Sequence, residues 1–251
     1  MAGSYLGRVL MNKKKLNSPI IRTLNLNEDI FKGTLVFRSF LILKQTHDST
    51  QHLLKAFDAI RMKRPGGGKG GTTDEEQDLL RAMLVTAATG LDAMIKQIIK
   101  DCLLELSKSE ELVNKELIEF VEKKLKNLNS NEWSGAANKF LSRILVADSQ
   151  KNEIISECIH EWTSGSLQSA NQLLSAMNML GLTQNDIKQD HQRLKIIFDI
   201  RNKIIHELDI NFNAPKRKRN VRSRPGMIRE ANFLLEISEN VLAAIQRKVV
   251  K

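Results

Sequence analysis

The chain has 251 residues, 41% of them hydrophobic and 5% aromatic, enough to build a core in one large or two small domains. Its formal net charge of +10 favours polyanionic partners, nucleic acid above all. No run approaches the roughly 18 consecutive apolar residues of a membrane span, so no membrane partner is expected.

The opening residues MAGSYLGRVLMNKKK place their basic cluster after a short apolar stretch, which does not match a secretory leader. Residues 1–27 show no sustained period and read as a loosely structured arm. Asn27 is placed to cap a long amphipathic helix through Phe31, Leu35, Phe40 and Leu43 to Ile60. The glycine run at 65–73 contains Lys69, which invites a phosphate-loop interpretation. That motif fails, because Gly70 stands where Ser or Thr is needed and no strand precedes it. A flexible linker fits better.

Thr73 and Glu76 have the spacing of a capping box, which predicts a helix through Leu80, Leu84, Leu91, Ile95, Ile98 and Leu106. Asp92 is its single acid between Asp78 and Asp101. It reads either as a half-exposed acid or as a partner for a buried cation. Further helices are expected at about 109–128, 135–146, 149–162 and 166–180, the last ended by Gly181. Thr183 is placed to cap a helix reaching Asp209, and a final helix is expected over 229–250 with Pro225 near its start. Four prolines and the absence of alternating strand patterns make the fold class all-α, a helical bundle. The expected organisation is an arm and long helix at 1–64, the linker at 65–73 and a helical domain at 74–251. Cys102 and Cys158 fall in helical patterns without metal-type spacing and read as reduced packing residues of a cytoplasmic protein.

The helix around 194–208 carries the most unusual pattern. At about 100° per residue, Leu194, Ile197, Phe198, Ile204, Ile205 and Leu208 all fall within roughly 60° of Arg201. Arg201 therefore stands at the centre of an apolar stripe, where a charge either snorkels, pairs or faces a cleft. Asn202 and His206, four apart, share one flank of the stripe, and Asp199 lies near His206 on the same wheel. Immediately downstream come Lys216, Arg217, Lys218 and Arg219, followed by Arg222 and Arg224. Such a run suits a solvated loop or a nuclear-localisation signal, but its place after His206 favours contact with a phosphate backbone.

Other constellations do not complete themselves. His160-Glu161 and His206-Glu207 begin like zinc-protease helices, but Ser164 and Ile210 occupy the second histidine positions. Cys158 and His160 point to different helix faces, and His47 and His52 read as exposed. No tight carboxylate cluster suggests two-metal chemistry. Neither a metal nor a cofactor is expected.

The segment Arg201-Asn202-Lys203-Ile204-Ile205-His206 resembles the R-polar-xxx-H signature of the HEPN superfamily, in which the polar residue is commonly Asn. The resemblance extends in pattern to a following helix and to an earlier apolar helix carrying an acid, here Asp92. It implies a metal-independent endoribonuclease. RNA supplies its own 2′-hydroxyl nucleophile, so His206 would move protons near neutral pH and Arg201 would grip the phosphate as charge develops. Asn202 would orient the phosphate or the imidazole, and the products would be a 2′,3′-cyclic phosphate and a 5′-hydroxyl end.

Arg201 and His206 lie about 140° apart on one helix, so the resemblance also implies a homodimer whose two-fold axis brings two copies of each into one cleft. The apolar stripe around Arg201 suits that contact. A toxin or antiviral-defence role with an antitoxin or defence-system partner is implied too. Some toxins of this superfamily carry a Tyr two residues after the His that a partner modifies; Leu208 holds that position here. The alternative is a non-catalytic helical module that binds RNA or a partner protein.

Overall fold

The computed structural model describes residues 19–65, 68–126, 135–187, 190–214 and 218–250. Among them are nine α-helices: α1 Phe37–Lys63, α2 Asp74–Ser109, α3 Glu111–Lys126, α4 Gly135–Val146, α5 Gln150–Ser164, α6 Ala170–Met179, α7 Gln184–Ile187, α8 His191–Glu207 and α9 Arg224–Val249. The only β pairing among the described residues is an isolated bridge between Ile210 and Arg219. The expected all-α fold is therefore the observed one.

Helix α2 is the axis of the bundle and contacts α1, α3, α5, α6, α8 and α9. It starts as its sequence predicts. Thr73 Oγ1 accepts from the Glu76 N–H, and Glu76 Oε2 accepts from the Thr73 N–H. Its 36 residues extend about 54 Å. By length and composition α2 could cross a membrane, but Leu80, Leu84, Leu91, Ile95 and Leu103 are all buried inside the bundle.

Helix α1 runs antiparallel to α2, since Arg61 pairs with Glu76 at one end and Thr46 lies against Gly90 further along. A Cβ on Gly90 would stand only 2.1 Å from Thr46 Oγ1, so glycine permits this close approach. At the turn between the two helices, Arg61 and Arg64 donate to the Gly70 and Gly71 carbonyls and both pair with the buried Glu76. These two arginines thus brace the glycine run.

Several expected boundaries move. Asn27 caps only a single 3-10 turn, Glu28–Ile30, because Gly33 at φ +75° interrupts the helical path before α1 begins. The expected arm divides: residues 1–18 lie outside the described residues, whereas 19–27 form an extended strap. Ile21 is buried, Arg22 pairs with Glu239, and the Asn25 N–H donates to the same carboxylate. The strap also accounts for His47, which is buried and not exposed, with Nε2 donating to the Arg22 carbonyl at 2.8 Å.

Helix α8 is capped by Asp190, whose Oδ1 accepts from the Arg193 N–H. The expected cap, Thr183, instead donates its N–H and hydroxyl to Asp186 beside the short α7. Helix α9 begins at Arg224, capped by Ser223, five residues earlier than its apolar pattern indicates. Cys102 and Cys158 are buried free thiols, pushed up to about 12 by burial. Such thiols pack and do not react.

Candidate active site on helix α8

The apolar stripe of α8 is used inside the protomer. Leu194, Ile197, Phe198 and Ile204 are buried, and α8 packs against α2 and α6. Those four are therefore not available for the dimer contact expected from the wheel, whereas Ile205 and Leu208 of the same stripe are exposed. The exposed apolar side chains near the motif are Ile205, Leu208 and Phe212.

Arg201 sits at the centre of the buried stripe, 9% exposed. Among the described residues no carboxylate pairs with it. Its Nη1 donates to Asn202 Oδ1 at 2.9 Å, and the Asn202 amide nitrogen donates to the Gln168 carbonyl at 2.9 Å. Asn202 thus ties the guanidinium to the loop between α5 and α6. A buried charge ordinarily has an ionic partner or a ligand, and this one has a neutral amide.

Asp92 is not the counter-ion of Arg201. Its Oδ2 pairs with Lys96 one turn along α2 at 2.9 Å, and its Oδ1 accepts from the Leu167 N–H at 3.1 Å. The pairing one turn away is local and geometrically ready, so Asp92 is already engaged. It nevertheless reaches the motif indirectly. Leu167 and Gln168 are consecutive, and the loop that Asp92 holds by an N–H is the loop that Asn202 grips by a carbonyl.

His206 is exposed on the last turn of α8. The chain then turns sharply, with Leu208 at φ +50° and Asp209 at φ +59°, a conformation that side-chain-bearing residues rarely adopt. The Asp209 N–H returns to the Lys203 carbonyl at 2.9 Å. Asp209 itself is fully buried and held by three residues. Arg81 Nε and Arg222 Nε donate to its Oδ2 at 3.0 and 2.9 Å, and Asn220 Nδ2 donates to Oδ1 at 3.0 Å. Burial alone pushes the Asp209 carboxyl up, but the hydrogen bonds from Arg222, Asn220 and Arg81 outweigh it and hold it below the usual carboxylate range. This cluster fixes the strained turn directly behind His206. No sequence pattern pointed to it.

The basic segment downstream separates into two parts. Arg219 pairs with Asp78 and donates to the Leu208 carbonyl, Arg222 pairs with Asp209, and Arg224 grips both oxygens of Asp58. These three guanidiniums hold the chain together between α8 and α9. Lys218 is exposed, and Lys216 and Arg217 lie outside the described residues, as do Lys13, Lys14 and Lys15.

No curated protein and no solved structure matches the chain. A family model does match, over residues 43–224, from within α1 through α2 and its Asp92, the motif helix and the basic segment to the first residue of α9. The chain belongs to the RiboL-PSP-HEPN family, and so to the HEPN superfamily that its Arg201-to-His206 segment resembles.

Proposed function

We propose that the protein is a cytoplasmic, metal-independent endoribonuclease acting as a homodimer. Domains of the HEPN type are often ribonucleases, and the observation that carries the proposal here is Arg201. It is a buried guanidinium held by a neutral amide, with its charge left for an anionic ligand. A phosphate whose charge rises in the transition state is the ligand that gains most from such a cation.

In the proposed step the 2′-oxygen bonds to the adjacent phosphorus while the bond to the 5′-oxygen breaks. The 2′-hydroxyl proton passes to one His206 imidazole, and the departing 5′-oxygen takes a proton from His206 of a second copy. Arg201 carries the added charge on the non-bridging oxygens. Two copies supply both proton carriers, and the exposed Ile205, Leu208 and Phe212 around His206 provide an apolar contact for them. Lys216, Arg217 and Lys218 hold the RNA backbone. Release of such an activity in a cell suits a toxin or antiviral-defence role, kept in check by a partner protein. With Leu208 in place of a modifiable Tyr, that control does not run through this side chain.

Incubation with total RNA in EDTA, followed by sequencing of new ends, tests the chemistry. Cyclic-phosphate ends that vanish with His206→Ala while helicity is retained are the expected result. Cleavage that survives this substitution overturns the proposal and leaves a non-catalytic binding module. Leu208→Glu tests assembly, since a charge in the contact should give monomers with little activity.

A further inference from the structure

Beside the Arg201–Asn202 pair, α6 and α8 leave a cavity of about 230 Å³ between them. Five side chains of α8 at successive three- and four-residue steps, His191, Lys195, Asp199, Asn202 and His206, share one helix face. The first four line the cavity, Phe198 completes its apolar part, and Asn171 of α6 faces them. His191 Nε2 donates to Asn171 Oδ1 at 3.0 Å, closing the far end. Asn202, held by Arg201 and Gln168, closes the near end.

Lys195 and Asp199 stand between these ends. They are one turn apart, yet among the described residues neither takes an ion pair or a side-chain hydrogen bond, with each other or with a neighbour. A donor and an acceptor are thus presented side by side over a partly apolar cavity. The volume lies below the roughly 300 Å³ at which drug-sized pockets begin and suits a single planar base. Asp199 is seven residues from His206, about 10 Å along the helix axis, within reach of a nucleotide next to the one being cleaved.

We propose that this cavity is a guanine subsite for the nucleotide flanking the scissile phosphate. The inference rests on the ribonuclease assignment of the neighbouring Arg201 and His206. Unpaired RNA bases are read on their Watson–Crick edges, and guanine alone presents two adjacent donors, N1–H and N2–H, next to an acceptor, O6. Both donors meet the Asp199 carboxylate, and the Lys195 ammonium meets O6. Adenine would set its N1 lone pair against the carboxylate. Uracil and cytosine lack the pair of adjacent donors.

The test uses the full chain in two arms. In the first, guanosine 3′-monophosphate and adenosine 3′-monophosphate are titrated separately while the Asn171 and Asn202 side-chain amide NMR signals are followed. The guanine nucleotide should bind about tenfold or more tightly than the adenine one, the discrimination of one good bidentate contact. Asp199→Asn and Lys195→Ala should each remove that preference. In the second arm, the ends of cleaved RNA are sequenced, and guanine enriched beside the cut in the wild type should become unselected in Asp199→Asn. Equal binding of the two nucleotides, or a preference unchanged in Asp199→Asn, overturns the subsite. Absence of any cleavage refutes the ribonuclease assignment instead, and the first arm still decides whether guanine is bound.

Discussion

The amide oxygen of Asn202 holds Nη1 of Arg201 at 2.9 Å, so the buried guanidinium is oriented by its own neighbour in sequence without being neutralised. A carboxylate in the same position would orient it as well, but would compete with any phosphate. The difference between the two side chains is one atom, and it separates a cation ready for a ligand from a closed internal pair.

Asn202→Asp should therefore keep the fold and lose the function. The new carboxylate retains the contact to Arg201 and adds an ion pair, but it loses the donor to the Gln168 carbonyl. RNA cleavage should fall by roughly 10²–10³, the size of losing one transition-state donor, with the melting temperature nearly unchanged. Arg201→Ala should show a comparable loss. Unimpaired turnover in Asn202→Asp would mean that Arg201 does not touch the phosphate.

Asp92 acts through the loop and not through Arg201, which separates two substitutions. Asp92→Asn keeps an oxygen for the Leu167 N–H and should cost activity only a few-fold. Asp92→Ala leaves that N–H without its acceptor, at roughly 1–3 kcal/mol, and loosens the carbonyl that anchors Asn202. Single-turnover rates should drop with little change in RNA affinity. Equal effects of the two substitutions would argue that the charge of Asp92 matters in its own right.

The place of Arg201 at the centre of the α8 stripe was legible, because helical period is local and the apolar residues mark it. Its lack of an acid among the described residues was not, since only the folded chain shows Asp92 engaged by Lys96 and Leu167. The wheel also could not tell the part of the stripe that packs inside the protomer, Leu194 to Ile204, from the part left exposed at Ile205 and Leu208. The start of α2 was legible from Thr73 and Glu76. The start of α8 was not, because Thr183 and Asp190 are both competent caps, and only tertiary packing selects Asp190. The Asp209 cluster is wholly non-local: 128 residues separate it from Arg81, and its left-handed backbone uses no glycine.

That cluster gives a pH dependence of stability. Asp209 and Glu76 are both held below the usual carboxylate range. For Glu76, burial raises the value, but bonds from Arg64 and the Thr73 N–H outweigh it. A group depressed in the folded state stabilises it above the unfolded value, about 4, and loses that contribution as pH falls through the folded value. Thermal stability should hold from neutral pH to about 5 and fall below about 4. Asp209→Asn should lower stability at neutral pH and flatten the acid limb. Asp209→Ala should cost about 3–5 kcal/mol, because Arg81 and Arg222 lose their buried partner. An acid limb identical in Asp209→Asn and wild type, measured by thermal melts across pH, would show that other groups govern it.

The basic segment after α8 should behave as two functional units when its charges are removed. Arg219, Arg222 and Arg224 already face Asp78, Asp209 and Asp58, so little of their charge is left for RNA. Arg222→Ala should act on the fold, lowering stability by roughly 1–3 kcal/mol as the buried Asp209 loses one of its two guanidiniums and keeps Arg81 and Asn220, with the salt dependence of RNA binding unchanged in the protein that remains folded. Lys216, Arg217 and Lys218 changed together to Ala should do the reverse. The melting temperature should stay within a degree or two of wild type, since Lys218 is exposed and an exposed charge contributes about 1 kcal/mol or less. RNA affinity should weaken, and the slope of log affinity against log salt should become shallower by up to about 2, at about 0.7 per phosphate contact on a single strand. Turnover at saturating RNA should be largely kept, because none of the three is asked to move a proton. Fluorescence anisotropy with a short labelled RNA over a range of salt concentrations measures the slope directly. A slope that changes with Arg222→Ala and not with the triple variant would place the RNA on the opposite side of this segment.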